Sequence, residues 1–117
     1  MDKTELLGRT KSFSLRIIRL VSALPSSRFG DVLGRQLFKS GTSIGANYRE
    51  ALRSSSKRHF ISTIEIAERE ADETLYWLEL LVESGLIRSD QVADLIRECD
   101  ELIAILTATG RTAKQSM

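Results

Sequence analysis

Proline occurs once in this 117-residue chain, at Pro25, and no segment alternates apolar and polar residues in the manner of a β-strand. Apolar residues instead recur every three or four positions, which is the spacing of one face of an α-helix. Three of the seven glycines, Gly30, Gly85 and Gly110, fall where helices would have to begin or end. The sequence therefore predicts an all-α fold.

The first two predicted helices are separated by Pro25. Helix 1 is expected over residues 4–24, and the linker PSSRFG follows it. Helix 2 is expected to begin near Asp31, a favourable N-cap residue. Its second half contains the segment SGTSIGA, whose small residues suit the close approach of two backbones. The apolar stripe of helix 1 is Phe13, Ile17, Leu20, Val21 and Leu24, and the seam of helix 2 is Leu33, Leu37, Ser40, Ile44, Asn47 and Ala51.

The next two predicted helices are bounded by serine and glycine. Helix 3 is expected to begin after the serines at 54–56 and to end before Gly85. Helix 4 is expected to begin at Ser89 or Asp90 and to end at Gly110, leaving residues 111–117 as a disordered tail. Short connections make successive helices antiparallel neighbours. We therefore expect a single domain, residues 1–110, folded as an up-down-up-down antiparallel four-helix bundle.

Helix 3 carries more apolar surface than one partner helix would cover. Besides its main seam it has Ile66, Trp77 and Leu80, with Tyr76 beside them. Such a helix is central in its bundle or also contacts another subunit.

The composition is that of a soluble globular protein, with 42% hydrophobic and 28% charged residues. No apolar run approaches the roughly 18 residues that span a bilayer, and the first residues lack the apolar core of a signal peptide. We therefore expect a cytoplasmic protein without a membrane partner.

Few residues could support catalysis or metal binding. Cys99 is the one cysteine and lies on the apolar face of helix 4, whereas His59 is the one histidine and lies beside Lys57 and Arg58. Core burial of the thiol and surface exposure of the imidazole are the expected arrangements. The carboxylates of helix 3 lack the Glu-x-x-His pairs of di-iron bundles. We expect no enzymatic activity, no cofactor and no metal.

The two halves of the chain differ in charge. Residues 1–60 hold twelve Lys and Arg against four Asp and Glu, whereas residues 61–117 hold five against twelve. Two interpretations are open: the halves attract each other within or between subunits, or the basic half binds a polyanion. Arg49, Arg53, Lys57 and Arg58 are expected to gather at one end of the bundle, where they form a candidate nucleic-acid-binding patch.

Asn47 is the polar residue that stands out on the seam of helix 2. Ser40, Ser43 and Glu50 lie on or beside the same face. An asparagine in such a position can fix the register of helices in an assembly. The alternative is a polar cluster that contacts a ligand.

Several separated motifs, SGTSIGANYREA, SKRHFISTIEIAERE and ADETLYWLELL, resemble the family of 23S rRNA-intervening sequence proteins, which are four-helix bundles. The similarity spans residues 13–106. Its most specific positions in the present sequence are Ser40, Ser43, Asn47, Glu50, Phe60, Glu65, Ala67, Glu73, Thr74 and Trp77.

The resemblance implies a small bacterial protein that assembles as a homopentamer. The family is also similar in fold to the accessory variability determinant proteins of diversity-generating retroelements, pentamers that bind nucleic acid and a reverse transcriptase. Two functions from different classes follow. One is an oligomer that binds structured RNA through its basic surface, and the other is a homo-oligomeric scaffold for a protein partner that binds no nucleic acid.

Overall fold

The computed structural model of the chain describes residues 1–116 and consists of four α-helices. They are α1 (Lys3–Ala23), α2 (Arg28–Leu52), α3 (Lys57–Glu83) and α4 (Ser89–Gln115). Each helix packs against the next along the chain, and the contact between α1 and α4, which closes the bundle, is the smallest of the four helix contacts. The result is the predicted up-down-up-down bundle, 47 × 21 × 20 Å in extent.

Side chains at the helix starts satisfy backbone amides that have no partner within the helix. Asp2 accepts from the amide of Glu5 at 2.8 Å, Ser27 from Gly30 at 3.0 Å and Ser56 from His59 at 3.1 Å. At the end of α3, Gly85 adopts a positive φ of 84°. This is the left-handed conformation for which glycine was predicted there.

The predicted seams form the core. Phe13, Ile17, Leu37 and Ile44 are fully buried, as are Cys99 of α4 and four seam residues of α3, Ile64, Ala67, Ala71 and Leu78. The other members of the α3 seam, Phe60, Leu75 and Val82, are half-buried at its edge. The small residues of α2 face α1: a Cβ at Gly41 would lie 2.8 Å from Cγ1 of Ile17, and one at Gly45 would lie 3.3 Å from Thr10. The predicted close approach of two backbones therefore occurs within one chain, between α1 and α2.

Two predicted boundaries are wrong. Helix α2 begins at Arg28 and not near Asp31, because Ser27 supplies the cap three residues earlier. Helix α4 continues through Gly110 to Gln115, so residues 111–115 are helical and do not form a disordered tail. Gly110 is buried against α3, where an added Cβ would lie 3.5 Å from Ile64. It permits close packing and does not end the helix; Met117 lies outside the described residues.

Candidate nucleic-acid interface

Most of the polar motif residues lie along the line where α2 packs against α3. Ser40 is buried there, and the Thr74 hydroxyl donates to its Oγ at 2.9 Å. Ser43 and Asn47 follow on the same side of α2, one and two turns after Ser40, and Trp77 follows Thr74 on α3. Glu65 is separate from this group, because it faces α4 and binds Lys114 at 2.7 Å.

Asn47 does not link two helices within the chain. Its Nδ2 donates to the backbone oxygen of Ser43, one turn earlier on the same helix, at 2.8 Å. The Ser43 hydroxyl donates in turn to the Lys39 carbonyl at 2.6 Å. Glu50 is exposed. These three residues therefore do not fix the register of this bundle, and their outer surfaces face away from its core.

On α3, the side chains beside its contact with α2 are aromatic and acidic. Trp77 is half-buried, and its indole nitrogen lies 3.4 Å from Oε1 of Glu73. Tyr76 is more than half exposed and meets Trp77 edge to face, with ring centroids 5.2 Å apart. Burial raises the pKa of the nearby Glu70 carboxyl, and Glu73 raises it further.

The charge asymmetry of the sequence becomes a division between two helix pairs. Helices α1 and α2 together carry nine basic and three acidic residues, whereas α3 and α4 carry six and twelve. We call these pairs the basic layer and the acidic layer. Within residues 1–116, Arg9 is the one cation of the basic layer that forms an ion pair; it binds Glu98 and Glu101 of α4. The basic layer therefore presents unneutralised charge.

A groove of about 670 Å³ runs between α1 and α2. Lys11 of α1 and Arg49 and Arg53 at the end of α2 line it, and all three are exposed. No carboxylate among the described residues lies within ion-pair distance of them. Sequence reasoning missed Lys11, because its place beside Arg49 depends on the register and facing of α1 against α2, which helical spacing alone does not give. The remaining lining residues are Leu7, Gly8, Thr10, Ser14, Gly45, Ala46 and Leu52.

The other two residues of the predicted basic patch lie at the start of α3. Lys57 is directed toward the end of α4, where its Nζ donates to the Ser116 hydroxyl at 2.6 Å. It lines a second groove, between α3 and α4, together with Phe60. Arg58 is exposed. The four predicted cations thus share one end of the bundle, but Lys57 and Arg49 line different grooves.

The remaining reactive groups lie in unreactive settings. The Cys99 thiol is fully buried and lies 3.2 Å from the Ala71 carbonyl, and burial raises its pKa to about 12. His59 is exposed at the start of α3. In the part of the chain that the structure describes, no group of three or more His, Cys, Asp or Glu side chains is placed to hold a metal ion. None of the described helices combines the length and apolarity needed to cross a bilayer.

Comparison with known protein families shows which family this chain belongs to. The model of the 23S rRNA-intervening sequence protein family matches residues 2–108, which is nearly the whole chain. The chain belongs to this family. A solved structure in the S23 ribosomal protein family, a protein of unknown function from Bacteroides thetaiotaomicron, is 36% identical to it. The superposition covers 89% of this chain and 96% of that one, with a TM-score of 0.84.

No curated protein sequence matches this family member significantly. Membership in the 23S rRNA-intervening sequence proteins establishes its fold and its relatives. The most marked features of its own surface are the basic layer, the α1/α2 groove and the partly exposed aromatic residues of α3.

Proposed function

We propose that this protein is a non-enzymatic, homo-oligomeric helical bundle of the cytoplasm that binds structured RNA through its basic layer. The observation that carries the proposal is the set of exposed cations without acidic partners at one end of that layer. Lys11, Arg49 and Arg53 line one groove, and Arg58 lies at the same end of the bundle. Phosphate groups are the ligands that such cations bind most generally.

We propose that the protein is not an enzyme because of the settings of Cys99 and His59, the two residues best suited to nucleophilic or general-base chemistry. The Cys99 thiol is buried with a raised pKa, so it is protonated and out of reach of substrate. His59 is exposed on the first turn of α3, and within residues 1–116 its ring forms no hydrogen bond that would orient it, since only its backbone atoms are engaged. A general base is usually held in place by such a partner.

Self-association is proposed through a set of apolar residues that we call the outer α2/α3 stripe. Phe29 and Val32 lie three turns before Ser40 and Ser43 and therefore on the same side of α2, and they are 73% and 46% exposed. Their position adjoins the second apolar stripe predicted on α3. Covering this surface would remove exposed apolar area from water, and identical chains commonly do so in a closed symmetric assembly. The resemblance implies five copies. The α3 members are Ile66, Tyr76, Trp77 and Leu80.

Oligomerisation strengthens RNA binding by repetition. One patch of three or four cations binds RNA weakly at physiological salt, because each phosphate contact competes with counterions. Several copies of the patch in one ring raise the effective concentration of each for the same RNA. No aromatic side chain lies among the cations of the α1/α2 groove. Binding is therefore expected to follow RNA shape and backbone, with little preference for base sequence.

The test measures binding of a fluorescent structured RNA over a range of salt concentrations. The unchanged protein should bind at about 50 mM salt, and its affinity should fall steeply as salt rises. The variant Arg53→Glu/Arg58→Glu should bind much more weakly and with a flatter salt dependence. The matched control is Arg97→Glu/Arg88→Glu, which changes the net charge equally at cations away from the end of the bundle where Arg53 and Arg58 lie. Equal loss in both variants, or no binding at about 50 mM salt, contradicts the proposal.

A protein-only scaffold is the second candidate, and the acidic layer favours it. The basic layer of one copy and the acidic layer of another are complementary, so the same charges could hold subunits or a protein partner together. The two candidates differ in the effect of salt on assembly. Scaffold function predicts that Arg53→Glu/Arg58→Glu lowers the oligomer mass in light scattering, whereas RNA binding predicts that this mass is unchanged.

A further inference from the structure

The α1/α2 groove has a shape that its glycines create. Gly45 lets α2 approach α1 closely, since an added Cβ would lie 3.3 Å from Thr10. Gly8 leaves the other side open, because a Cβ there would meet nothing within 4 Å. The volume of about 670 Å³ lies within the roughly 300–1,000 Å³ of sites that hold small organic ligands. The groove is therefore large enough for one compact ligand unit.

The groove joins an apolar floor to a cationic rim. Leu7 and Leu52 are half-buried and supply the apolar surface, and the rim is Lys11, Arg49 and Arg53. The hydroxyl groups in the groove are already engaged as donors. Thr10 Oγ1 donates to the Leu6 carbonyl at 2.9 Å, and Ser14 Oγ donates to the carbonyl of Thr10 at 3.1 Å. The floor thus offers apolar contact without free hydroxyl donors.

These properties fit a ligand in which an anionic group is attached to a flat, largely apolar body. We infer that the α1/α2 groove binds one unpaired nucleotide unit, with its phosphate on the Lys11, Arg49 and Arg53 rim and its base against Leu7 and Leu52. If the nucleotide belongs to an RNA chain, this inference rests on the proposed function. A paired base is stacked within its duplex and cannot enter the groove, whereas a bulged base can.

The same chemistry predicts weak discrimination among bases. Sequence is read through hydrogen bonds to base edges, and the engaged hydroxyls of Thr10 and Ser14 do not provide donors for them. The preference should therefore be for unpaired over paired nucleotides, with the four bases bound about equally.

The experiment compares two RNA duplexes of equal length, one perfectly paired and one with a single bulged nucleotide, by fluorescence anisotropy at low salt. The bulged RNA should bind about tenfold more tightly. Gly8→Leu fills the open side of the groove and should bring this ratio close to one. Leucine favours helix over glycine, so the variant should fold. Ala93→Leu, at an exposed position of α4, is the matched control and should keep the tenfold ratio.

A second arm uses a fluorescent nucleoside monophosphate to distinguish the two sources of the nucleotide unit. Binding of the monophosphate that Gly8→Leu abolishes, without binding of either RNA, supports the groove site and overturns RNA binding. Equal, salt-sensitive binding of both RNAs overturns the groove site and leaves the proposed function standing. Absence of binding to all three probes overturns both.

Discussion

Thr74 of α3 and Ser40 of α2 form a buried hydrogen bond of 2.9 Å between their hydroxyl groups, and neither residue is more than 1% exposed. The Thr74 hydroxyl also lies 2.7 Å from the Glu70 carbonyl of its own helix. A buried polar group is tolerated only where it finds a partner. This pair is therefore a buried polar link between α2 and α3.

The Ser40 and Thr74 link should be measurable as a coupling between the two residues. Ser40→Ala and Thr74→Val should each lower the free energy of unfolding by about 1 kcal/mol, since each removes the buried hydrogen bond that joins the two helices. The double variant should lose less than the sum of the two, because one bond cannot be lost twice. Urea unfolding of the four proteins measures this coupling. Ser22→Ala serves as the control, because its exposed hydroxyl bonds only within α1; strict additivity of the first two variants would rule out the link.

Substitution by alanine should lower the free energy of unfolding at Gly41 of α2 and raise it at Gly8 of α1. Gly41→Ala places a Cβ 2.8 and 2.9 Å from the two γ carbons of Ile17, a β-branched side chain that cannot swing aside, so α1 and α2 must separate. We expect a loss of about 1–3 kcal/mol. Gly8→Ala meets nothing within 4 Å and should gain about 0.5–1 kcal/mol from helix propensity. Thermal and urea unfolding of the pair separate the two effects, and destabilisation by both substitutions would contradict this account.

The sequence was sufficient for the fold because the seams of all four helices repeat at helical spacing and the caps at Ser56 and Gly85 are local signals. It was misleading at Gly110, since glycine is typical both of a helix end and of a close helix contact, and only the position of Ile64 distinguishes them. The extent of the candidate site depended on packing as well. Lys11 joins Arg49 only because α1 and α2 are antiparallel neighbours.

The weakest helix contact, between α1 and α4, should depend on Arg9. Its guanidinium donates from Nε to one Glu98 oxygen at 2.9 Å and from Nη2 to the other, and it also reaches Glu101. Arg9 and Glu98 side chains are 27% and 19% exposed, so this two-bond pair is less screened than a surface pair. Arg9→Gln should lower the free energy of unfolding by about 1–2 kcal/mol and speed hydrogen exchange in α1.

A matched control for Arg9 is the exposed pair of Arg97 with Asp94, whose side chains are 67% and 81% exposed. Arg97→Gln should change the free energy of unfolding by less than about 0.5 kcal/mol. Similar losses in the free energy of unfolding for Arg9→Gln and Arg97→Gln would show that the Arg9 ion pair stabilises the bundle no more than an exposed pair does.

Cys99 should make stability depend on pH in the alkaline range. Burial raises the pKa of its thiol from 9.0 to about 12 in the folded chain. A folded-state pKa above the unfolded value means that the stabilisation is fully present below pH 9 and is lost as the pH rises toward 12. Within that window the unfolded chain releases the proton and the folded chain retains it, so the free energy of unfolding should fall by about 1.4 kcal/mol per pH unit. Urea unfolding of the protein and of Cys99→Ala at each pH isolates this contribution as the difference between their slopes. Parallel pH profiles for the two proteins would show that the thiol ionises as readily in the bundle as in the unfolded chain.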